Sequence, residues 1–116
     1  MIVDDDTGAT NLLEKLMRME GHAPTSVNES RLAMGVAEII RPDLFILDLM
    51  MPEVTGFQLC RILRNNNNFE STPIIILTAL DDNDSKIVAF GAGASDYITK
   101  PFKIEELLQK VRNWLR

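Results

Sequence analysis

Carboxylate side chains are grouped in three separate places along this sequence. The run Asp4-Asp5-Asp6 lies near the start, Asp48 follows an apolar run, and a third group contains Asp81, Asp82 and Asp84. Clustered oxygen ligands suit a hard cation such as Mg²⁺, which also keeps several of its waters. The ordinary alternative is a solvated loop or a helix cap. The choice between them depends on which of these groups the fold brings together.

Thr78 and Lys100 add a hydroxyl and a mobile positive charge, each at the end of a predicted strand. A lysine ammonium is a compact charge that can pair with a phosphoryl oxygen. A divalent cation, an ammonium, a hydroxyl and a carboxylate nucleophile together are what phosphoryl transfer to an aspartate needs, because that reaction depends mainly on positioning and on neutralising charge. The hypothesis requires a fold that places both residues beside Asp48.

Short apolar runs alternate with segments of helical spacing. Residues 44–47 and 74–77 are continuous and aliphatic-rich, as in parallel strands buried on both faces, and residues 1–3, 23–27 and 97–99 are weaker strand candidates. The intervening segments predict helices with these apolar residues on the buried face: Leu13, Leu16 and Met17; Leu32, Val36, Ile39 and Ile40; Phe57, Cys60, Ile62 and Leu63; and Ile104, Leu107, Leu108, Val111 and Leu115.

This repeated strand–helix pattern predicts an α/β fold, a doubly wound parallel sheet with helices on both faces. Pro24 cannot donate to a strand ladder, so the second strand should lie at a sheet edge. The flavodoxin-like (βα)5 order 2-1-3-4-5 provides that edge. We expect one domain over residues 1–116.

Ligands of such sheets bind beyond the carboxyl ends of the strands, where the strand order reverses. With this order, that point lies between strands one and three, which end at Asp4 and Asp5 and at Asp48. Three carboxylates in one place repel each other unless a cation neutralises them. The predicted cofactor is therefore Mg²⁺.

Four motifs now show a family resemblance. The first motif is Ile-Val-Asp-Asp-Asp at residues 2–6, and the second is Leu-Asp-Leu-Met-Met-Pro at residues 47–52. The third is Ile-Leu-Thr-Ala at residues 76–79, and the fourth is Asp-Tyr-Ile-Thr-Lys-Pro-Phe at residues 96–102. Together, and in this order, they resemble the receiver domains of bacterial response regulators. The resemblance covers the whole chain. It implies a signalling domain that accepts a phosphoryl group from a sensor histidine kinase or a phosphotransfer protein, and that catalyses only its own phosphorylation and dephosphorylation.

The resemblance also assigns the metal and the acceptor. Asp48 would be the phosphoacceptor and a Mg²⁺ ligand. Asp5 would bind the ion directly and Asp4 largely through water, while Met50 would contribute its backbone carbonyl.

The remaining roles concern the phosphoryl oxygens and the switch. Thr78 and Lys100 would contact those oxygens, and inward movement of Thr78 would draw Tyr97 with it. This movement would change the surface of helix four, strand five and helix five. A possible face for phosphorylation-dependent homodimers carries Lys86, Asp96, Glu106 and Lys110. Apolar Met50 and Leu80 near the acceptor predict a long-lived phosphoryl group.

Charge and composition exclude other classes. The net charge is -5 and the basic residues form no run, which argues against direct nucleic-acid binding. No apolar run approaches the roughly 20 residues that span a bilayer, and no leader precedes the first strand, so we expect a cytoplasmic protein without membrane contact. The first strand is short, which suggests a natural chain that starts earlier.

Two alternatives stay open. A haloacid-dehalogenase-like phosphatase places its nucleophile after strand one in an Asp-x-Asp pattern, which residues 4–6 fit. This alternative leaves Asp48 and Tyr97 without a role. The second alternative is a degenerate receiver that binds partners without being phosphorylated.

Overall fold

The computed structural model describes residues 1–115, in which a parallel sheet of five strands alternates with helices. The strands are β1 (Ile2–Val3), β2 (Ser26–Val27), β3 (Phe45–Leu47), β4 (Ile74–Thr78) and β5 (Asp96–Thr99). Their order is β2-β1-β3-β4-β5, so the flavodoxin-like topology is confirmed. β2 lies at the edge as Pro24 predicts, although only Ser26 and Val27 pair with β1.

The helices are α1 (Thr7–Met19), α2 (Ala33–Ile40), α3 (Gly56–Arg64), α4 (Asn83–Gly91) and α5 (Ile104–Trp114). A 3₁₀ turn, Ser30–Leu32, precedes α2. Side chains alternate between the two faces of a strand, so the sheet has two cores. Ile2, Ile46 and Ile75 pack with α1 and α5 on one face. Val3, Leu47 and Ile76 pack with α2, α3 and α4 on the other.

Two acidic residues that lie away from the site cap helices. Asp6 caps α1, where its Oδ1 accepts from the Gly8 N–H at 2.9 Å. Asp82 caps α4 and accepts from the Ser85 N–H at 3.0 Å. The loop-and-cap interpretation of both residues is thus confirmed.

The predicted buried face of α2 is wrong for three of its four residues, since only Val36 packs against the core. Leu32, Ile39 and Ile40 are 46%, 83% and 41% exposed, whereas Ala33 and Ala37 are fully buried. Small residues bring this helix close to the sheet, so its larger apolar residues point away from the core. Smaller errors of the same kind affect Ile62 and Ile104, which are also exposed.

None of the helices within residues 1–115 combines the length and the apolar character needed to cross a membrane.

Candidate functional site

Three carboxylates converge at the carboxyl edge of the sheet. β1 and β3 are neighbours, so Asp4 and Asp5 come to lie beside Asp48. One carboxylate oxygen from each of these three side chains lies within 4.8 Å of the other two. Asp5 is exposed, while the side chains of Asp4 and Asp48 are 4% and 11% exposed. The group is therefore open to solvent on one side and enclosed on the other.

Lys100 extends from the end of β5 into this group. Its Nζ lies 2.7 Å from Asp4 Oδ2 and 3.2 Å from Asp48 Oδ2. The bond from Lys100 to Pro101 is cis. The Lys100 N–H also donates to the carbonyl of Thr78 at 2.7 Å, which ties the ends of β4 and β5 together.

The charges in the site influence each other strongly. Burial raises the pKa of Asp4 even though Lys100 donates a hydrogen bond to it. Burial alone would lower the pKa of Lys100, but Asp4 and Asp48 outweigh it, so that pKa is raised and the ammonium stays charged. Three carboxylates around one ammonium leave an excess of negative charge, which a divalent cation would neutralise.

The backbone after β3 is fitted closely around Asp48. The Met50 N–H donates to Asp48 Oδ1 at 3.1 Å, and the Met50 side chain is 57% exposed. Gly56 opens α3, and its N–H donates to the Leu49 carbonyl at 3.1 Å. A Cβ on Gly56 would lie 2.1 Å from the Asp48 carbonyl oxygen, so only glycine fits there.

Thr78 ends β4, the strand next to β3. Leu47 pairs with Ile76 across these strands, so Asp48 and Thr78 occupy neighbouring strand ends. Thr78 is fully buried, and its hydroxyl accepts a long hydrogen bond of 3.5 Å from the Leu80 N–H. All the residues predicted to hold a metal or a phosphoryl group are thus found at one edge of the sheet.

Comparison with known proteins decides the family. The sequence profile of the response regulator receiver domain matches residues 1–112. The chain belongs to the response-regulator receiver family. The phosphatase alternative has no support among the matches.

Individual relatives agree with this assignment. The receiver is 39% identical over 116 residues to the DNA-binding dual master transcriptional regulator RpaA of Synechocystis sp., and covers 48% of that protein. It therefore spans about half the length of the curated relatives it matches. A BeF3-activated N-terminal receiver domain of RstA from Klebsiella pneumoniae superposes with a TM-score of 0.93 at 33% identity, covering 99% of this chain and 96% of that one.

A third relative bears on the metal. The receiver domain of a sensor histidine kinase from Pseudomonas aeruginosa, solved with a magnesium ion coordinated in its active site cleft, has a TM-score of 0.89 at 31% identity. The match covers 98% of this receiver and 93% of that chain. Receiver domains hold Mg²⁺ at an acidic cluster, and this chain has such a cluster.

Tyr97 of the receiver points inward. The residue is 9% exposed, and its hydroxyl donates to the Leu80 carbonyl at 2.6 Å. The Leu80 N–H faces the Thr78 hydroxyl, so the Leu80 residue links Thr78 to Tyr97. The Tyr97 ring also packs against α4. The centroids of the Tyr97 and Phe90 rings are 6.3 Å apart, and Lys86 Nζ lies 5.8 Å from the Tyr97 centroid.

Two residues of the predicted dimer face are paired with each other within the receiver. Lys110 Nζ lies 2.8 Å from Asp96 Oδ1, and the Trp114 indole donates to Asp96 Oδ2 at 3.0 Å. Lys86 lies over Tyr97, and Glu106 is exposed. The structure thus pairs Asp96 with Lys110 inside a single chain.

Two residues that belong to none of the four motifs also reach the site. Asn28 and Ser30 follow β2 and make hydrogen bonds to the loops after β1 and after β3. Their types are common in turns, so the sequence alone gives no signal for them.

Proposed function

We propose that Asp48 accepts a phosphoryl group from a sensor histidine kinase or a phosphotransfer protein. The observation that carries this proposal is the convergence of Asp48 with Asp4, Asp5 and the Lys100 ammonium at the carboxyl edge of the sheet. A carboxylate oxygen of Asp48 attacks phosphorus, the new O–P bond forms, and the P–N bond to the donor imidazole breaks. The leaving imidazole takes up a proton.

We further propose that this reaction depends on Mg²⁺. Asp5, Asp48 and the Met50 carbonyl would bind the ion directly, and Asp4 would bind it largely through water. The donor set fits, because Mg²⁺ prefers oxygen ligands, takes few carboxylates and keeps several waters. When bound, the ion supplies positive charge against the phosphoryl oxygens.

Lys100 and Thr78 complete the proposed site. The Lys100 ammonium lies between two carboxylates, so it can exchange one of them for a phosphoryl oxygen. The Thr78 hydroxyl donates to another phosphoryl oxygen. Because the Leu80 residue faces Thr78 on one side and Tyr97 on the other, movement of Thr78 changes the position of Tyr97 and of α4. The switch surface is then α4, β5 and α5.

The partners follow from this switch. We propose that residues 1–116 are one receiver domain that acts in the cytoplasm as a phosphoacceptor. We also propose that this domain hydrolyses its own phosphoryl group and is not an enzyme for other substrates. Phosphorylation favours a homodimer through the switch surface. The net charge of -5 supports the proposal that this domain does not itself contact DNA.

Intact-mass measurement tests the central step. After incubation with Mg²⁺ and acetyl phosphate, the wild-type protein should gain the mass of one phosphoryl group, and Asp48→Asn should gain none. Asp81→Asn is a matched control, because Asp81 is an exposed aspartate outside the site. If the wild-type mass does not change, the chain is the degenerate receiver that works without phosphorylation.

A further inference from the structure

The segment that follows β2 contacts both loops of the proposed metal site. We propose that Asn28 and Ser30 act as positioning residues that hold the loop after β1 and the loop after β3 at the spacing that Mg²⁺ requires. This inference rests on the proposed magnesium-dependent function. Neither residue is itself one of the proposed Mg²⁺ ligands.

Asn28 fixes the peptide that joins the two carboxylates of β1. Its Nδ2 donates to the Asp4 carbonyl at 2.9 Å and to Thr10 Oγ1 at 3.0 Å, so both of its protons are used. The Asp4 carbonyl belongs to the peptide between Asp4 and Asp5. A fixed orientation of that peptide plane sets the direction of the chain at Asp5, in the loop after β1. Thr10, which is 2% exposed, fixes Asn28 in turn.

Ser30 fixes the loop that joins Asp48 to α3. Its hydroxyl donates to the Pro52 carbonyl at 2.8 Å and accepts from the Val54 N–H at 3.2 Å. These two groups flank Glu53, whose φ of 68° lies in the left-handed region that residues with a Cβ seldom adopt. A buried hydroxyl that bonds both flanking peptides stabilises this unfavourable backbone, and with it the course of the loop that contains Met50.

The two contacts act together because only Glu29 separates Asn28 from Ser30. The short segment therefore ties the β1 loop to the β3 loop at a fixed distance. Mg²⁺ demands near-ideal octahedral ligands at about 2 Å, so a small change in the spacing of the loops weakens its binding. The end of β2 is also held by the backbone, through the bond from the Asp4 N–H to the Val27 carbonyl at 3.2 Å. Loss of either side chain should thus leave the fold intact.

Calorimetric titration of the full chain with MgCl₂ tests this inference. Asn28→Ala and Ser30→Ala should each weaken Mg²⁺ binding about tenfold, the lower end of the effect of residues that support metal ligands. The Mg²⁺ concentration for half-maximal phosphorylation should rise by a similar factor, with little change in the rate at saturating Mg²⁺.

Two matched controls separate positioning from stability. Ser95→Ala removes a hydroxyl that accepts from the Ile74 N–H at 3.1 Å, at the start of β4 and so at the amino ends of the strands, away from the site. Ser26→Ala removes a bond of 2.8 Å from the Ser26 hydroxyl of β2 to Glu14, close to Asn28 in the sequence but outside the site. Both controls should bind Mg²⁺ like the wild-type chain.

The outcomes distinguish failure of the positioning role from failure of the proposed function. If Asn28→Ala and Ser30→Ala bind Mg²⁺ as tightly as the wild-type chain, the positioning role is wrong and the proposed function stands. Equal weakening in the controls also overturns the positioning role. Failure of the wild-type chain to bind Mg²⁺ overturns the proposed function together with this inference. Should Ser30→Ala not fold, Asn28→Ala decides alone, since Asn28 is only half-buried.

Discussion

Lys100 controls the electrostatics of the proposed site. Its ammonium bonds Asp4 and Asp48 at once, and both carboxylates raise its pKa against the effect of burial. In the proposed reaction Asp48 becomes an acyl phosphate and loses its carboxylate charge, while new charge appears on the phosphoryl oxygens. A protonated lysine already within reach follows that charge with a small movement, which lowers the cost of reorganisation.

Met50 offers a test of phosphoryl lifetime. Met50 is 57% exposed and lies two residues after Asp48, and its apolar surface should hinder an attacking water. We expect Met50→Asn to hydrolyse its phosphoryl group severalfold faster, because an amide can bind and orient that water. Decay of the phosphorylated mass with time measures the rate. Ile62→Asn, at an exposed position of α3, should decay at the wild-type rate; an unchanged rate in Met50→Asn would refute the shielding role.

Asp96 should give the stability of the protein a defined pH dependence. Burial would raise the pKa of Asp96, but hydrogen bonds from Lys110, Trp114 and the Tyr97 N–H outweigh it and hold that pKa below 3.8. The carboxylate therefore stabilises the folded state fully above pH 3.8, and this contribution is lost as the pH falls through the folded pKa.

Urea unfolding across the acidic range measures this contribution. Asp96→Asn should lower the free energy of unfolding by about 1 kcal/mol near neutral pH. The difference from wild type should shrink below pH 3.8. Asp81→Asn is the control, because Asp81 lies in an exposed loop. A difference that stays constant with pH would show that Asp96 acts through packing instead.

At the scale of elements, the start of α3 depends on one glycine. A Cβ on Gly56 would overlap the Asp48 carbonyl, so Gly56→Ala must push α3 away from β3. We expect a loss of about 1–3 kcal/mol in the free energy of unfolding, the usual cost of overpacking. Gly35→Ala is the matched control in α2, where nothing lies within 4 Å of a new Cβ. It should gain about 0.5–1 kcal/mol; equal effects of the two changes in urea unfolding would contradict this account.

Most elements could be predicted because burial of apolar residues against the core produces their sequence patterns. The aliphatic runs of β3 and β4 are buried on both faces, and the apolar face of α1 repeats at helical spacing. α2 could not be predicted in this way. Its buried face consists of Ala33 and Ala37, while Leu32, Ile39 and Ile40 are exposed. Spacing shows that a helix has an apolar face, but it does not show which face small residues bring to the sheet.

At the scale of the whole molecule, strand order alone places the carboxylates together. Once the order 2-1-3-4-5 is predicted, Asp4 and Asp48 must end neighbouring strands, and the structure has them there. The support from Asn28 and Ser30 could not be predicted, because it depends on the path of loops outside the sheet. A turn residue in the sequence does not show which distant peptide it will bond.

The switch surface should join two chains when the site is activated. Ile87, Phe90 and Trp114 are 68%, 48% and 41% exposed on α4 and α5, the helices that also carry Lys86, Glu106 and Lys110. Exposed ion pairs contribute only about 0–1 kcal/mol each, so apolar contact must supply most of the affinity. We expect sedimentation to show a doubled mass with Mg²⁺ and beryllofluoride.

Charge reversal tests which surface joins the chains. Glu106→Lys should reduce this dimer, whereas Glu38→Lys, an exposed change on α2, should leave it intact. A chain that stays monomeric with beryllofluoride bound, or a dimer that responds to Glu38→Lys alone, would overturn the proposed face.

Location of the phosphoryl group is the most direct test of the phosphoacceptor assignment. Borohydride reduces an aspartyl phosphate to homoserine, so tandem mass spectrometry of the treated, digested protein identifies the residue that was modified. We predict homoserine at position 48 after incubation with Mg²⁺ and acetyl phosphate, and at no other aspartate. Homoserine at position 4 or 5 would instead place the nucleophile after β1, as in the phosphatase alternative, and would contradict the account.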